Sequence, residues 1–418
     1  MSAPAPFIAP TNTQKVLILA MLVYGFALSQ AFRTFPALIA EPLSKEFGLD
    51  AASIGLFAGA FPFSFGLMQL FAGVALDRWG SQKTVGTLFA ATTLGSLLSY
   101  AATSFPMLLA GQILLGIGSS AAFLGGMVYI SRNFPPAKFA ALSGAVLGLG
   151  GVGMLMTGTP LAFVLKYGTW RHAFLIMAGL CVLAVIGFYF LRNIKNLDEA
   201  DRHPTHHETL GESFKQCGRL LFLPQSAGIM LLGAVAYAAV ISIRALWVVP
   251  LFTSRHGFSL IETGNLVAAF SVAMLFGPPL FGRLDPGGMK RRYLLIICTF
   301  IMAGLILLMG LGPLKSPLLD MGLTILIGLM SGYILLEYAD VRSAYPPEMV
   351  GRALAVINMA MFLGVAVVQS YTGRIAAKAI ESSNDPVLAV YSNLSLWLVI
   401  AALGFAFLPK PPGLKQKP

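Results

Sequence analysis

The chain carries twelve apolar runs, each long enough for the roughly 20 residues of helix that cross a bilayer, and this succession limits what it can fold into. The runs lie near 15–39, 53–76, 84–103, 106–131, 139–165 and 172–191, then 227–251, 263–282, 293–312, 318–339, 350–373 and 389–408. They are continuous rather than alternating, which specifies helices and not barrel strands. A helix bonds every backbone group internally, as hydrocarbon requires. Only 11% of residues are charged, against about 25% in a soluble domain. An all-α membrane protein follows.

The net charge of +11 does not point to nucleic acid. Its basic residues are scattered singly and in short clusters between apolar runs, as in topogenic loops. Nineteen of the 28 Lys and Arg fall in loops on the side of the N-terminus, seven on the other side and two within runs. That asymmetry places both termini in the cytoplasm. Lys15, the run from Val16 to Leu28 and Ser29-Gln30-Ala31 also have the form of a signal peptide. Pairing with an internal helix, described next, argues for a retained span. Cys181, Cys217 and Cys298 are too dispersed for a disulfide framework or zinc site, and the two in apolar runs fit as small core residues. His203, His206 and His207 stand in the polar segment 192–225 without partners at ligand spacing. That segment reads as a solvated linker, with no metal and no cofactor. No phosphate loop or nucleophile motif is present, and no enzyme is expected.

The chain repeats itself at a spacing of 211 residues. Arg33 pairs with Arg244, Phe26 with Tyr237, and the Pro-Pro of 135–136 with that of 346–347. Pro36, Gly48 and Ser53 are followed at slightly slipped spacing by Pro250, Gly257 and Ser259. Gly73-Val-Ala-Leu-Asp77-Arg78-Trp-Gly80 is matched by a loop carrying Asp285. The division is a first bundle over 1–191, a cytoplasmic linker over 192–225 and a second bundle over 226–418. Two pseudo-symmetric six-helix bundles in parallel orientation are expected.

Arg33 and Arg244 lie inside apolar runs, where a guanidinium costs several kcal/mol. Arg33 stands some six residues outward of the middle of its run, about 9 Å from the centre and still within a half-core of ~15 Å. One such Arg can snorkel to the headgroups. Two at equivalent positions, with no nearby acid in either run, invite an anion. Gln30, Phe26, Tyr237 and Trp247 lie near them on the same helices, with Gln112 and Asn358 as further cavity candidates. Gln112 and Asn358 fit interhelical hydrogen bonds equally well. Aromatic walls around a forked cation suit a carboxylate-bearing organic molecule. Glu337 and Asp340 can carry a coupling proton or form a latch with Arg342 and Arg352; the latch is the simpler expectation.

Gly73-x-x-x-Asp77-Arg78-x-Gly80 with Lys83 after it resembles the signature loop of the major facilitator superfamily, and the twelve runs in two halves match it along essentially the whole chain. The resemblance implies a central cavity and alternating access by rocking of the bundles. Gly73, Asp77, Arg78 and Gly80, with Asp285, Glu337, Asp340 and Arg352, then form the conformational gate. Two departures stand out: Gln112 occupies the usual Arg position of the fourth helix, and Gly144, Gly148, Gly153, Gly158 and Pro160 only loosely resemble the drug/proton antiporter motif. Arg33, Pro42 and Lys45-Glu46-Phe47-Gly48-Leu49 resemble the first-helix motif of anion:cation symporters, although Thr34, Phe35 and Pro36 replace its polar residues. This implies a secondary active transporter in the inner membrane, a monomer bathed in lipid, moving a small organic anion with a coupling proton or counter-anion. An efflux exporter of the same superfamily is the alternative.

Overall fold

The computed structural model describes residues 11–192, 218–220, 223–313, 315–345 and 347–409. The His-rich part of the expected linker lies outside the described residues. Among these there are helices and no strands. Eleven helices are long and apolar enough to cross a membrane. In chain order the spans are Asn12–Thr34, Ala51–Trp79, the helix Ser81–Tyr100, Phe105–Asn133, Ala141–Tyr167, Trp170–Leu191, Ser226–Arg255, Leu260–Arg283, Gly288–Leu311, Pro317–Ala344, Arg352–Glu381 and Pro386–Phe407. Ser81–Tyr100 is the less apolar one. Its Thr84, Thr92, Ser96 and Ser99 are buried against neighbours rather than lipid, and Ser96 donates to the carbonyl of Phe174 at 2.7 Å. The all-helical, twelve-span architecture is therefore as expected. Cys181 and Cys298 are buried free thiols.

The first span ends earlier than its hydropathy suggests. Apolarity continues to residue 39, but Pro36 lacks an N–H and cannot continue the ladder. The helix stops at Thr34, and Pro36–Phe47 begins a second helix. Arg33 thus falls in the last turn, where unsatisfied carbonyls and the helix dipole favour a cation. The second helix ends at Gly48, whose φ of 62° suits glycine. Glu46 there accepts from Trp170 Nε1 at 2.7 Å and pairs with Arg171 at 2.6 Å, fixing this helix to the sixth span.

The expected hydroxyl-led starts differ between the halves. Ser259 caps the eighth span in a capping box with Glu262, whereas the second span is capped by Asp50, which accepts from the backbone of Ser53 at 2.8 Å. Ser53 is one turn inside.

Two seams join the halves. The second span packs along the eleventh, and a Cβ on Gly55 would lie 2.6 Å from the carbonyl of Gln369. The fifth span packs on the eighth, and a Cβ on Gly158 would lie 2.8 Å from the carbonyl of Gly264. Each seam pairs the second helix of one half with the fifth of the other, as a pseudo-two-fold demands. Small residues permit this contact where lipid gives no hydrophobic drive.

Four spans are interrupted. The fourth breaks near Ser120, the fifth at Thr157–Gly158, and the tenth passes through a 3₁₀ turn at Ser331–Ile334. The seventh contains two π-helical segments, Ile243–Trp247 and Leu251–Arg255, flanking Pro250. π segments are frequent at functional sites because they shift the register of one face.

Candidate functional site

Arg244 lies inside the first π segment and is fully enclosed. Its Nε donates to Ser271 Oγ at 2.8 Å, and its Nη2 donates to the Met154 carbonyl at 3.0 Å and to Thr157 Oγ1 at 3.1 Å. The helix break explains that carbonyl. The N–H of Gly158, which would complete the ladder to Met154, turns instead to Leu155, and Met154 is left to accept from Thr157 Oγ1 and Arg244. Nη1 is buried with no hydrogen-bond partner.

Arg33 is partly buried at the end of the first span. Its Nη1 donates to Tyr237 Oη at 2.9 Å. Its guanidinium lies 4.5 Å from the Phe362 ring centre and 5.2 Å from that of Phe65, both at cation–π distance. Its Nε has no partner. Thr34, the next residue, shares a 2.7 Å hydrogen bond with Thr157 Oγ1, which also receives Arg244. The residue after Arg33 is thus tied to the hydroxyl that Arg244 bonds, while the two guanidinium groups themselves share no hydrogen-bond partner. No ion pair with a carboxylate of the described residues is formed by either. Each also reaches across the divide: Arg33 to the seventh and eleventh spans, Arg244 to the fifth.

The other candidates divide. Tyr237 lies on the helix of Arg244 but serves Arg33. Gln30, one turn before Arg33 on the first span, is buried with Oε1 unpartnered. Gln112 is buried with both amide atoms unpartnered. Phe26 packs on Phe123 at 5.0 Å and against Gly150, inside the first half. Trp247 is locked away, its Nε1 donating to Thr372 at 2.9 Å. Asn358 is an interhelical strut rather than an open wall. It donates to Gln69 Oε1 at 2.9 Å and receives Tyr338 at 3.0 Å. Missed in the sequence were Thr157, Met154, Ser271, Phe65, Phe362 and Thr372. Each is an ordinary residue of an apolar run, and no signal in the sequence marks them.

The gate candidates act within the halves in this conformation. Asp77 pairs with Arg132 at 2.7 Å, joining the second and fourth spans. Asp285 pairs with Arg291 at 2.7 Å, and Arg291 also donates to the Ala339 carbonyl and Ser343. The hydrogen bonds and charge of Arg291 hold the Asp285 carboxyl below the usual range, against its partial burial. Arg78 is exposed, and Gly80 makes the turn with φ 77°. Gly73 is not a tight approach, since its nearest neighbour would sit 3.9 Å from a Cβ. The expected ion pairs of Glu337 and Asp340 with Arg342 or Arg352 are replaced. Asp340 lies 3.6 Å from Arg292, and Glu337 is buried with neither oxygen hydrogen-bonded. Glu337 points at Gly233 instead, one turn from Tyr237.

The model of the Major Facilitator Superfamily matches residues 3–369. A D-galactonate transporter of Escherichia coli O6:H1 is 22% identical over 393 residues, covering 88% of this chain and 90% of the relative. A hexuronate transporter of Bacillus subtilis is 26% identical over 185 residues, 43% of each chain. Among solved structures, a D-xylose-proton symporter superimposes with a TM-score of 0.73 over 95% of this chain and 99% of its own, at 16% identity. A bacterial homologue of the human lysosomal transporter Spinster, inward-facing and occupied, gives 0.71 over 95% and 97%, also at 16%. At that identity the likeness concerns the fold. With its family model spanning most of the sequence and its twelve helices joined at two symmetric seams, the chain belongs to the Major Facilitator Superfamily and is a multi-pass membrane transporter.

Proposed function

We propose that the protein is a secondary active transporter of a small organic anion, of the sugar-acid type, working by a rocking of its two halves. One observation carries this reading. Two guanidinium groups within apolar runs meet only neutral acceptors among the described residues, and each keeps one buried N–H without a partner. A positive pair of this kind is completed by a carboxylate, which a guanidinium binds in fork geometry. The relatives named for D-galactonate and hexuronate favour a hydroxylated acid. Gln30, Gln112 and Tyr237 supply amide and hydroxyl groups for its hydroxyls.

Binding and rocking are linked through the same atoms. Without substrate, Arg244 holds Met154 and Thr157 across the divide, and Arg33 holds Tyr237. A carboxylate that takes over these N–H groups releases the cross-links, so the halves part as substrate binds. The division at 192–225, residence in the cytoplasmic membrane and cytoplasmic termini complete the proposal. The cycle is completed by a coupled proton or counter-anion.

The test is uptake of D-galactonate, a hexuronate and D-xylose into proteoliposomes. Acid uptake should exceed xylose uptake and should fall at least about tenfold for Arg33→Ala and for Arg244→Ala, the loss of one charged hydrogen bond. Uptake of an acid at the wild-type rate by both variants would overturn the binding role. Preferential export of apolar compounds, insensitive to Arg33→Ala, would replace it with an exporter.

A further inference from the structure

Away from the two arginines, the membrane-facing surface holds a groove of about 510 Å³ where the second, fourth and eleventh spans meet. Phe63, Ile113 and Val367 line its length, and Ser370, Tyr371 and Arg374 line one end. The lining is apolar except at that end. Arg374 is exposed at the groove and pairs with none of the described carboxylates. It stands one residue past the apolar run that ends at 373, with Lys378 and Glu381 further out, and so lies at the headgroup end of the groove. An exposed cation at that level is placed to meet a lipid phosphate. Tyr371, beside it, packs its ring on Trp397 at 4.9 Å. A Tyr–Trp pair of this kind marks the boundary between hydrocarbon and headgroups. From Arg374 back to Ala366 the groove follows the helix for about 12 Å, close to the depth of one leaflet of ~15 Å.

We propose that this groove is a binding site for one anionic phospholipid, with its acyl chain laid against Phe63, Ile113 and Val367 and its phosphate held by Arg374. The guanidinium presents a fork to two phosphate oxygens, which a zwitterionic headgroup offers with a competing cation attached. Position gives the site a consequence. The second and fourth spans belong to the first half and the eleventh to the second. The groove flanks the seam where Gly55 meets the backbone of Gln369. A lipid seated there touches both halves at once and fits only while that seam is closed. It therefore favours the sealed arrangement.

The test needs no transported substrate, so its failure is distinct from failure of the transport reading. Full-length protein is reconstituted in nanodiscs of phosphatidylcholine with phosphatidylglycerol, re-extracted in mild detergent and weighed by native mass spectrometry. The wild type should retain one phosphatidylglycerol in preference to phosphatidylcholine. Arg374→Ala should lower that preference about tenfold, while Arg374→Lys keeps part of it. Ile113→Trp and Val367→Trp fill the groove from positions that are already exposed, and should abolish retention of either lipid at unchanged melting temperature. Equal retention of the two lipids by the wild type would overturn the proposal. So would retention unchanged in Arg374→Ala and both tryptophan variants.

Discussion

Arg244 is enclosed on every side and yet bonds to no carboxylate, and its three hydrogen bonds are all to neutral oxygens. Two of them use separate nitrogens of the guanidinium, so the geometry of the fork matters as well as the charge. Arg244→Lys should therefore behave like Arg244→Ala in uptake, since an ammonium at the end of a flexible stem cannot reach Ser271 and Thr157 together; uptake retained by the lysine variant would show that charge alone suffices. Thr157→Val removes the oxygen shared by Arg244 and Thr34 while keeping the shape. It leaves buried polar groups unpaired, which costs about 1–3 kcal/mol, and a lowered melting temperature checks this. Glu337→Gln belongs to the opposite case. The carboxylate there has no hydrogen-bond partner to lose, so the amide should melt no lower than the wild type; a drop of many degrees would reveal a structural bond. Charges in apolar runs are visible in the sequence, and Arg33, Arg244, Glu337 and Asp340 all stood out there. Their partners did not. Thr157 is 87 residues from Arg244, and nothing in a run of small and apolar residues marks which threonine will face inward.

At the scale of elements, proline and glycine set what hydropathy could not. Pro36 ends the first span at Thr34 and puts Arg33 in its last turn. The Thr157–Gly158 break frees Met154, and the π segment around Arg244 re-aims that side chain. A hydropathy run shows apolar length, not the hydrogen-bond register within it, and so leaves these breaks invisible. The seams are testable. Gly55→Val and Gly158→Val each drive a branched side chain into a neighbouring backbone carbonyl. Each should open its own seam, and Gly55→Val should raise the reactivity of a cysteine placed at Ser370, which borders the second–eleventh seam, toward a membrane-impermeant thiol reagent. Unchanged protection at Ser370 in Gly55→Val would mean that this seam is not closed in the membrane. The loop after the eighth span offers a test by pH. The folded-state pKa of Asp285 is lowered by Arg291. Its contribution is thus present above the unfolded carboxylate value, about 3.9, and is lost as pH falls through the lower folded value. Asp285→Asn should melt below the wild type at pH 7, and the gap should close at pH 3 or under.

For the whole molecule, twelve apolar runs and a 211-residue repeat specify the class and the number of spans. Those properties are written along the chain: the length of a run is matched to bilayer thickness, and a duplication leaves equal spacings. The sequence also picked out the two arginines, since a charge in hydrocarbon is conspicuous wherever it packs. Tertiary structure decided what they touch. Spans apolar on every face carry no stripe to say which side meets a neighbour and which meets lipid. Hydropathy therefore left open that each arginine bonds into the opposite half, that Tyr237 serves Arg33, and that Asp77 and Asp285 tie down their own bundles. Those outcomes follow from close contact at small residues and from the need to pair each buried polar group, and both conditions exist only once the helices are assembled.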